Sequence, residues 1–260
     1  MRLADRVRPP AGDAVREPLL RLPEQLRAHA LPEHRPHAVT GHGPLVLVIG
    51  DKQLSSWSLR PWLLMRHMGL PFEELRLPLD TPRFAREIER YSPARRVPVL
   101  LHGDLHVWDS LAICEYVNEL VRGAAWPADA AARAHARSIC AEMHAGFAAL
   151  RSTWSMRAAT VGLEVDLPPA ARSDVERVEA IWTACRERYE GGGPWLFGAR
   201  FCVADAMYAP VMLRFRTYGA ELGPVARRYA AHVLDDPHVA DWIRGAGQEI
   251  AVEGRPESHA

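Results

Sequence analysis

Every stretch of this chain with strand character lies between Leu45 and Trp108, and beyond Gly123 the apolar residues recur only at helical spacing. Leu45-Val46-Leu47-Val48-Ile49 is an unbroken apolar run rich in branched residues, bounded by Gly43-Pro44 and Gly50-Asp51. That is the pattern of a short strand buried on both faces. Leu59, Trp62, Leu63, Met65 and Met68 then form a wide helical stripe that starts near Ser58 and ends at Gly69, with Pro61 in the first turn, where it is tolerated. Phe72 to Leu77 reads as a second strand, completing a βαβ unit. Phe84 to Tyr91 reads as a short helix. Val97 to Leu101, the turn His102-Gly103-Asp104, and Leu105 to Trp108 read as a hairpin. Ser110 to Val121 closes this part with a helix whose apolar face carries Ile113, Cys114, Val117, Leu120 and Val121.

After Gly123 the pattern is helical throughout. Ile139, Met143, Phe147, Leu150 and Trp154 predict one long amphipathic helix, and Val175, Val178, Trp182, Cys185 and Tyr189 another. Val203 to Tyr218, Pro224 to His232 and Pro237 to Ala246 supply shorter ones. The organisation expected is a thioredoxin-like α/β domain over 44–123, then an all-helical domain over 127–250. A 48% hydrophobic chain of 260 residues has enough apolar material for both cores. Residues 1–43 are interrupted by six prolines and read as a poorly ordered extension; their scattered histidines fix no metal geometry. Residues 251–260 read as a frayed tail.

Several function classes are excluded by composition. Thirty-two basic and thirty-two acidic residues leave a formal net charge of zero, with no global attraction to nucleic acid or an anionic membrane. Lys52 is the only lysine, so there is no phosphate-loop GK[ST] motif. Cys114, Cys140, Cys185 and Cys202 are widely spaced and form no C-x-x-C pair, as expected of buried thiols in a reducing compartment and not of a metal site. No apolar run is long enough to cross a bilayer, and Met1 to Arg8 lacks the core of a secretory signal. The expected location is cytoplasmic.

Four local sequences narrow the reading. Ser55-Ser56-Trp57-Ser58-Leu59-Arg60 resembles the serine motif of zeta-like and related bacterial glutathione S-transferases. Ser92-Pro93-Ala94-Arg95-Arg96-Val97-Pro98 resembles that family's loop before a cis-proline. Asp109-Ser110-Leu111-Ala112-Ile113 resembles its acidic-Ser-x-Ala-Ile element, and Phe201-Cys202-Val203-Ala204-Asp205 its helical capping box. The resemblance implies the glutathione S-transferase fold, glutathione as co-substrate without a metal, a homodimer, and conjugation of small hydrophobic electrophiles in detoxification. It implies no nucleic-acid or membrane partner.

The residue types suit that chemistry. A thiol attacks as thiolate, and lowering an ordinary thiol pKa by about two units takes about 2.7 kcal/mol of anion stabilisation. A serine hydroxyl at a helix N-terminus supplies a hydrogen bond to charge and a favourable dipole. Ser55, five residues before Arg60, is the first candidate and Ser56 the second; one of Ser55, Ser56 and Ser58 is expected to cap the helix while another faces the thiol. By the resemblance, a cis peptide at Val97-Pro98 offers the Val97 backbone to glutathione, and Asp109 and Ser110 bind its γ-glutamyl group. Arg96 or Arg95 meets the glycine carboxylate. Trp57, Trp154 and Tyr208 are candidates for the electrophile pocket, Trp154 equally for the core.

Two departures stand out. Cys202 replaces the usual Ser or Thr of the capping box opposite Asp205, and a thiol is a poor acceptor. Trp57 stands where some relatives carry cysteine, which disfavours redox chemistry. Two further readings remain: a glutathione-dependent cis–trans isomerase of maleylacetoacetate type, for whose diacid Arg157 or Arg214 could serve, and a non-catalytic interaction module of the same fold.

Overall fold

The protein is described by a computed structural model over residues 43–253. The extension expected before Pro44, apart from Gly43, and the chain beyond Glu253 lie outside the described residues. The first half follows the order β1 (Leu45–Ile49), α1 (Ser56–His67), β2 (Glu73–Arg76), α2 (Pro82–Glu87), β3 (Val99–His102), β4 (Leu105–Trp108) and α3 (Ser110–Leu120). The sheet order is β2-β1-β3-β4, with β2 parallel to β1 and both remaining pairings antiparallel. This is a thioredoxin-like domain.

Alternation along β1 explains why its run is apolar throughout. Leu45, Leu47 and Ile49 join Leu100 in the main core with α1 and α3, through Leu59, Trp62, Leu63, Ile113 and Val117. Val48 points the other way, into a smaller core with Leu77, Ile88 and Val99. Both faces are therefore covered, as the branched run requires. Some boundaries differ from expectation. The expected helix 84–91 is α2 followed by a 3-10 turn at Ile88–Arg90. The hairpin turn shrinks to Gly103-Asp104, because His102 stays in β3 with its Nδ1 2.8 Å from the Tyr116 hydroxyl and Gly103 takes the left-handed φ of 58°.

Helices alone follow: α4 (Ala130–Ala145), α5 (Ala148–Thr153), α6 (Pro169–Tyr189), α7 (Val203–Tyr218), α8 (Pro224–Leu234) and α9 (Pro237–Glu253). α9 continues past the expected Ala246 and takes in residues 251–253. The single helix expected through Ile139 and Trp154 is broken. Gly146 leaves the helix with extended angles, and Phe147 takes a φ of 60° while its ring stays buried. A Cβ at Gly146 would lie 2.8 Å from the Glu142 carbonyl oxygen, so the break needs glycine there. α5 restarts with the Leu150 amide donating to Asp174 at 2.9 Å.

α7 is buried nearly all round, as a helix apolar on every side must be. At its start the reciprocal capping pair is present: the Asp205 carboxylate accepts from the Cys202 amide at 2.9 Å, while the Cys202 sulfur is the weak acceptor for the return bond. Asp205 also accepts from the Leu196 amide at 3.0 Å and the Tyr229 hydroxyl at 3.1 Å. Two residues tie the loop before α1 to the helical half. Lys52 pairs with Glu74 at 2.7 Å, lies over the rings of Trp62 and Trp242, and accepts at its carbonyl from Trp242 Nε1. The Gln53 side chain donates to Thr160 at 2.9 Å and accepts from the Ala159 amide at 2.8 Å. Among the described residues no helix is long and apolar enough to cross a membrane.

Candidate active site

The loop after β1 delivers three serines to the start of α1, which begins at Ser56 and so earlier than expected. Ser55 is the N-cap residue, yet its hydroxyl caps no first-turn amide. It instead lies 2.7 Å from Ser58 Oγ, which accepts from the Gly50 amide at 3.2 Å. Ser56 Oγ accepts from Arg214 Nη2 at 3.4 Å. No serine side chain caps the helix, contrary to the expectation that one would. The amides of Trp57 and Ser58 have no partner among the described residues, so the positive end of the helix is uncovered.

Three arginines surround this helix start. The Arg60 guanidinium lies 4.1 Å from the Trp57 ring centre and donates to Ser110 Oγ at 3.4 Å. It is 1% exposed, and its Nε has no partner among the described residues. Burial, and then the charge of Arg151, bring its pKa down to about 10. Arg214, on α7, donates to the carbonyls of Trp154 at 2.7 Å and Pro210 at 3.3 Å; burial and then Arg60 and Arg151 bring it down to about 9. Arg151 lies 5.3 Å from the Trp57 ring, and burial lowers its pKa too. None of the three makes an ion pair among the described residues. Arg151 depresses Arg60, and both depress Arg214, which marks a site of positive potential suited to an anion.

A cavity of about 160 Å³ opens beside them. Of the residues singled out from sequence, Trp57, Arg96, Val97, Pro98, Asp109 and Ser110 line it. The Val97-Pro98 peptide is cis, and the Val97 amide and carbonyl have no partner among the described residues. Asp109 caps α3 through the Leu111 amide at 2.8 Å, and its second oxygen lies 3.5 Å from His144 Nε2. Ser110 is 1% exposed at the first position of α3. Arg95, the alternative to Arg96, is paired with Glu89.

Ser55 and Ser56 are buried and do not line this cavity themselves. Trp154 and Tyr208 are core residues. Trp154 stacks on Tyr218 and donates to the Val165 carbonyl at 3.0 Å, while Tyr208 donates to the Ile139 carbonyl at 3.0 Å. Arg157 uses its carbonyl to accept from Thr217 Oγ1 at 3.0 Å. The sequence reading missed Ser92, whose buried hydroxyl lines the cavity with no partner among the described residues, and His144, edge-on to Trp57 at 5.2 Å. Ser92 opens the loop that leads to the cis-proline; nothing local in the sequence marks His144. A second, larger hollow of about 480 Å³ shares no lining residue with this one. Among the described residues no cluster of His, Cys, Asp or Glu is arranged to hold a metal.

Residues 54–120 match the sequence profile of the glutathione S-transferase N-terminal domain. Dichloromethane dehalogenase of Methylorubrum extorquens is 39% identical over 62 residues, a stretch covering 23% of this chain and 22% of that enzyme. A glutathione transferase homologue from Burkholderia, solved with bound glutathione, superposes with a TM-score of 0.60 at 24% identity, over 79% of this chain and 99% of that one. The zeta-class bacterial enzyme maleyl pyruvate isomerase gives a TM-score of 0.61 at 20% identity, over 82% and 100%. The chain thus has the glutathione S-transferase fold, and its first domain carries that family's N-terminal signature.

Proposed function

We propose that this chain is a glutathione transferase that holds the glutathione thiol as thiolate at the start of α1 for attack on small hydrophobic electrophiles. The observation that carries the reading is convergence on one cavity: the open Val97 backbone, Asp109 and Ser110 at the start of α3, Arg96, and Trp57 in the first turn of α1, whose amide has no partner among the described residues. An extended peptide pairs with a free strand edge, which suits Val97 to the cysteinyl unit. The γ-glutamyl carboxylate goes to Ser110 and the helix N-terminus, its ammonium to Asp109, and the glycine carboxylate to Arg96. The thiol then lies at the serine pair, where a hydroxyl, two free amides and the charges of Arg60, Arg151 and Arg214 all favour the anion. Ser55 is the first candidate for the hydroxyl and Ser56 the second. A homodimer located in the cytoplasm and serving detoxification belongs to the same reading.

One observation favours a second reading, the glutathione-dependent cis–trans isomerase of a maleyl-type diacid. Two buried arginines, Arg60 and Arg214, and the half-buried Arg151, none in an ion pair among the described residues, are more positive charge than one thiolate requires. The test is retention on immobilised glutathione with elution by the free tripeptide, followed by assays with an aryl halide and with a maleyl diacid. Conjugation of the halide supports transfer; turnover of the diacid alone supports isomerisation. A folded protein that flows through the column is an interaction module instead.

A further inference from the structure

The hydroxyl protons at the start of α1 can be placed by counting partners. Ser58 is fully buried, and among the described residues its Oγ has two partners: the Gly50 amide at 3.2 Å and Ser55 Oγ at 2.7 Å. An amide only donates, so Gly50 fills an acceptor site on Ser58. A buried hydroxyl keeps its own proton in a hydrogen bond, and the acceptor left to it is Ser55 Oγ. The direction is therefore from the Gly50 amide to Ser58 and from Ser58 to Ser55. Ser55 Oγ has no other partner among the described residues, so its proton is free to be donated onward.

Two further features fit this direction. An N-cap serine ordinarily spends its oxygen on a first-turn amide, and Ser55 does not, because Ser58 occupies that oxygen. The Gly50 amide belongs to the residue directly after β1, which is paired on both sides within the sheet, so the chain of bonds starts beside the sheet. A Cβ at Gly50 would lie 2.9 Å from the Leu79 side chain, which would have to shift to admit it. Ser56 is arranged otherwise, taking one long bond from Arg214.

We propose that Ser58 is a positioning residue for the reaction: it relays a hydrogen bond from the Gly50 amide that orients the Ser55 hydroxyl as a donor to the glutathione thiolate. This rests on the reading of Ser55 as the thiol's partner. Hydrogen bonds in a chain polarise one another, so Ser55 donates more strongly with Ser58 behind it than alone. Without Ser58 the Ser55 oxygen is released to cap a first-turn amide, and its proton loses its fixed direction.

The test is ultraviolet titration of the thiol in glutathione-saturated wild type, Ser58→Ala, Ser55→Ala and the double variant, with melting temperatures on the same samples. Ser58→Ala is expected to raise the bound thiol pKa by about half a unit or more, a roughly threefold loss of chlorodinitrobenzene conjugation at neutral pH that disappears in alkali. In the Ser55→Ala background the same substitution is expected to add nothing, because the relay has no terminus. Ser58→Cys, with a weak donor of similar volume, is expected to fall between, and carries the test if Ser58→Ala does not fold. A pKa raised by Ser55→Ala but not by Ser58→Ala overturns the relay alone. Equal shifts from Ser58→Ala in both backgrounds also overturn it. A pKa unmoved by Ser55→Ala removes the assignment of Ser55 and the relay together.

Discussion

Replacing Asp205 by alanine removes one carboxylate and leaves three buried donors without an acceptor: the amides of Leu196 and Cys202 and the Tyr229 hydroxyl. Orphaning a buried donor costs about 1–3 kcal/mol. Losing a buried charge gives part of this back, since burial raises the Asp205 pKa despite the opposing hydrogen bonds. The expected net loss is about 3–5 kcal/mol, a large share of the total stability of an ordinary domain. For a protein of this size that is a fall of about 6–20 °C in melting temperature. Tyr229→Phe, which removes one donor and orphans nothing, is expected to cost only about 1 kcal/mol. Urea denaturation followed by tryptophan fluorescence measures both. Because the folded pKa is raised, the carboxyl's contribution is complete below its unfolded pKa and is lost as pH rises through the folded value. The gap between wild type and Asp205→Asn is therefore expected to be widest in acid. A loss below about 1 kcal/mol for Asp205→Ala would show that the three donors find other acceptors, and that Asp205 does not hold the loop before α7 to α8.

Glu74 behaves in the opposite sense: burial alone would raise its pKa, but hydrogen bonds from Lys52 and Trp62 and the charges of Lys52 and Arg66 outweigh it and bring it down. Its contribution is present above the ordinary value of 4.5 and lost as pH falls through the lowered one, so Glu74→Gln should cost about 1 kcal/mol at neutral pH and nothing in strong acid, read from denaturation midpoints at several pH values. Cys202→Ser should raise stability by about 1 kcal/mol by giving the Asp205 amide a better acceptor; a fall would mean that the buried sulfur's packing matters more. Asp109→Ala should raise the Michaelis constant for glutathione with little change in turnover, since the ammonium contact is the same in ground and transition states. A collapsed turnover with an unchanged Michaelis constant would contradict that role.

Much of the fold is legible where a single pattern decides the outcome. The branched run of β1 and the wide stripe of α1 form the expected elements, and α7 has the expected bounds, Val203 to Tyr218. The break at Gly146-Phe147 was not legible, because the apolar spacing from Ile139 to Trp154 continues straight through it. Only the Glu142 carbonyl, one turn back in space, shows why glycine is needed. Among the cavity residues, Trp57, Arg96, Val97, Pro98, Asp109 and Ser110 were legible through their motifs. Their support was not: Arg60 marks only a spacing for Ser55, and Ser58 is only one of three serines of which one should cap the helix and another face the thiol. The bond from Gly50 to Ser58 crosses from the end of a strand to the first turn of a helix, and no periodicity records it. Tyr208 belongs to the core and not to a pocket wall, and Trp154 takes the core alternative, because an aromatic on a helical stripe looks the same in both settings.

The most direct measurement is the pKa of glutathione's thiol when bound to the wild-type protein and to Ser55→Ala and Ser56→Ala, followed by ultraviolet absorbance of the thiolate. The wild type is expected to hold the thiol about two units below its free value, and Ser55→Ala to give back at least one unit, about 1.4 kcal/mol, with conjugation at neutral pH down at least tenfold and partly restored in alkali. Ser56→Ala should leave the titration in place. A bound thiol that titrates as it does in free glutathione, or a pKa that moves in Ser56→Ala and not in Ser55→Ala, would contradict this expectation.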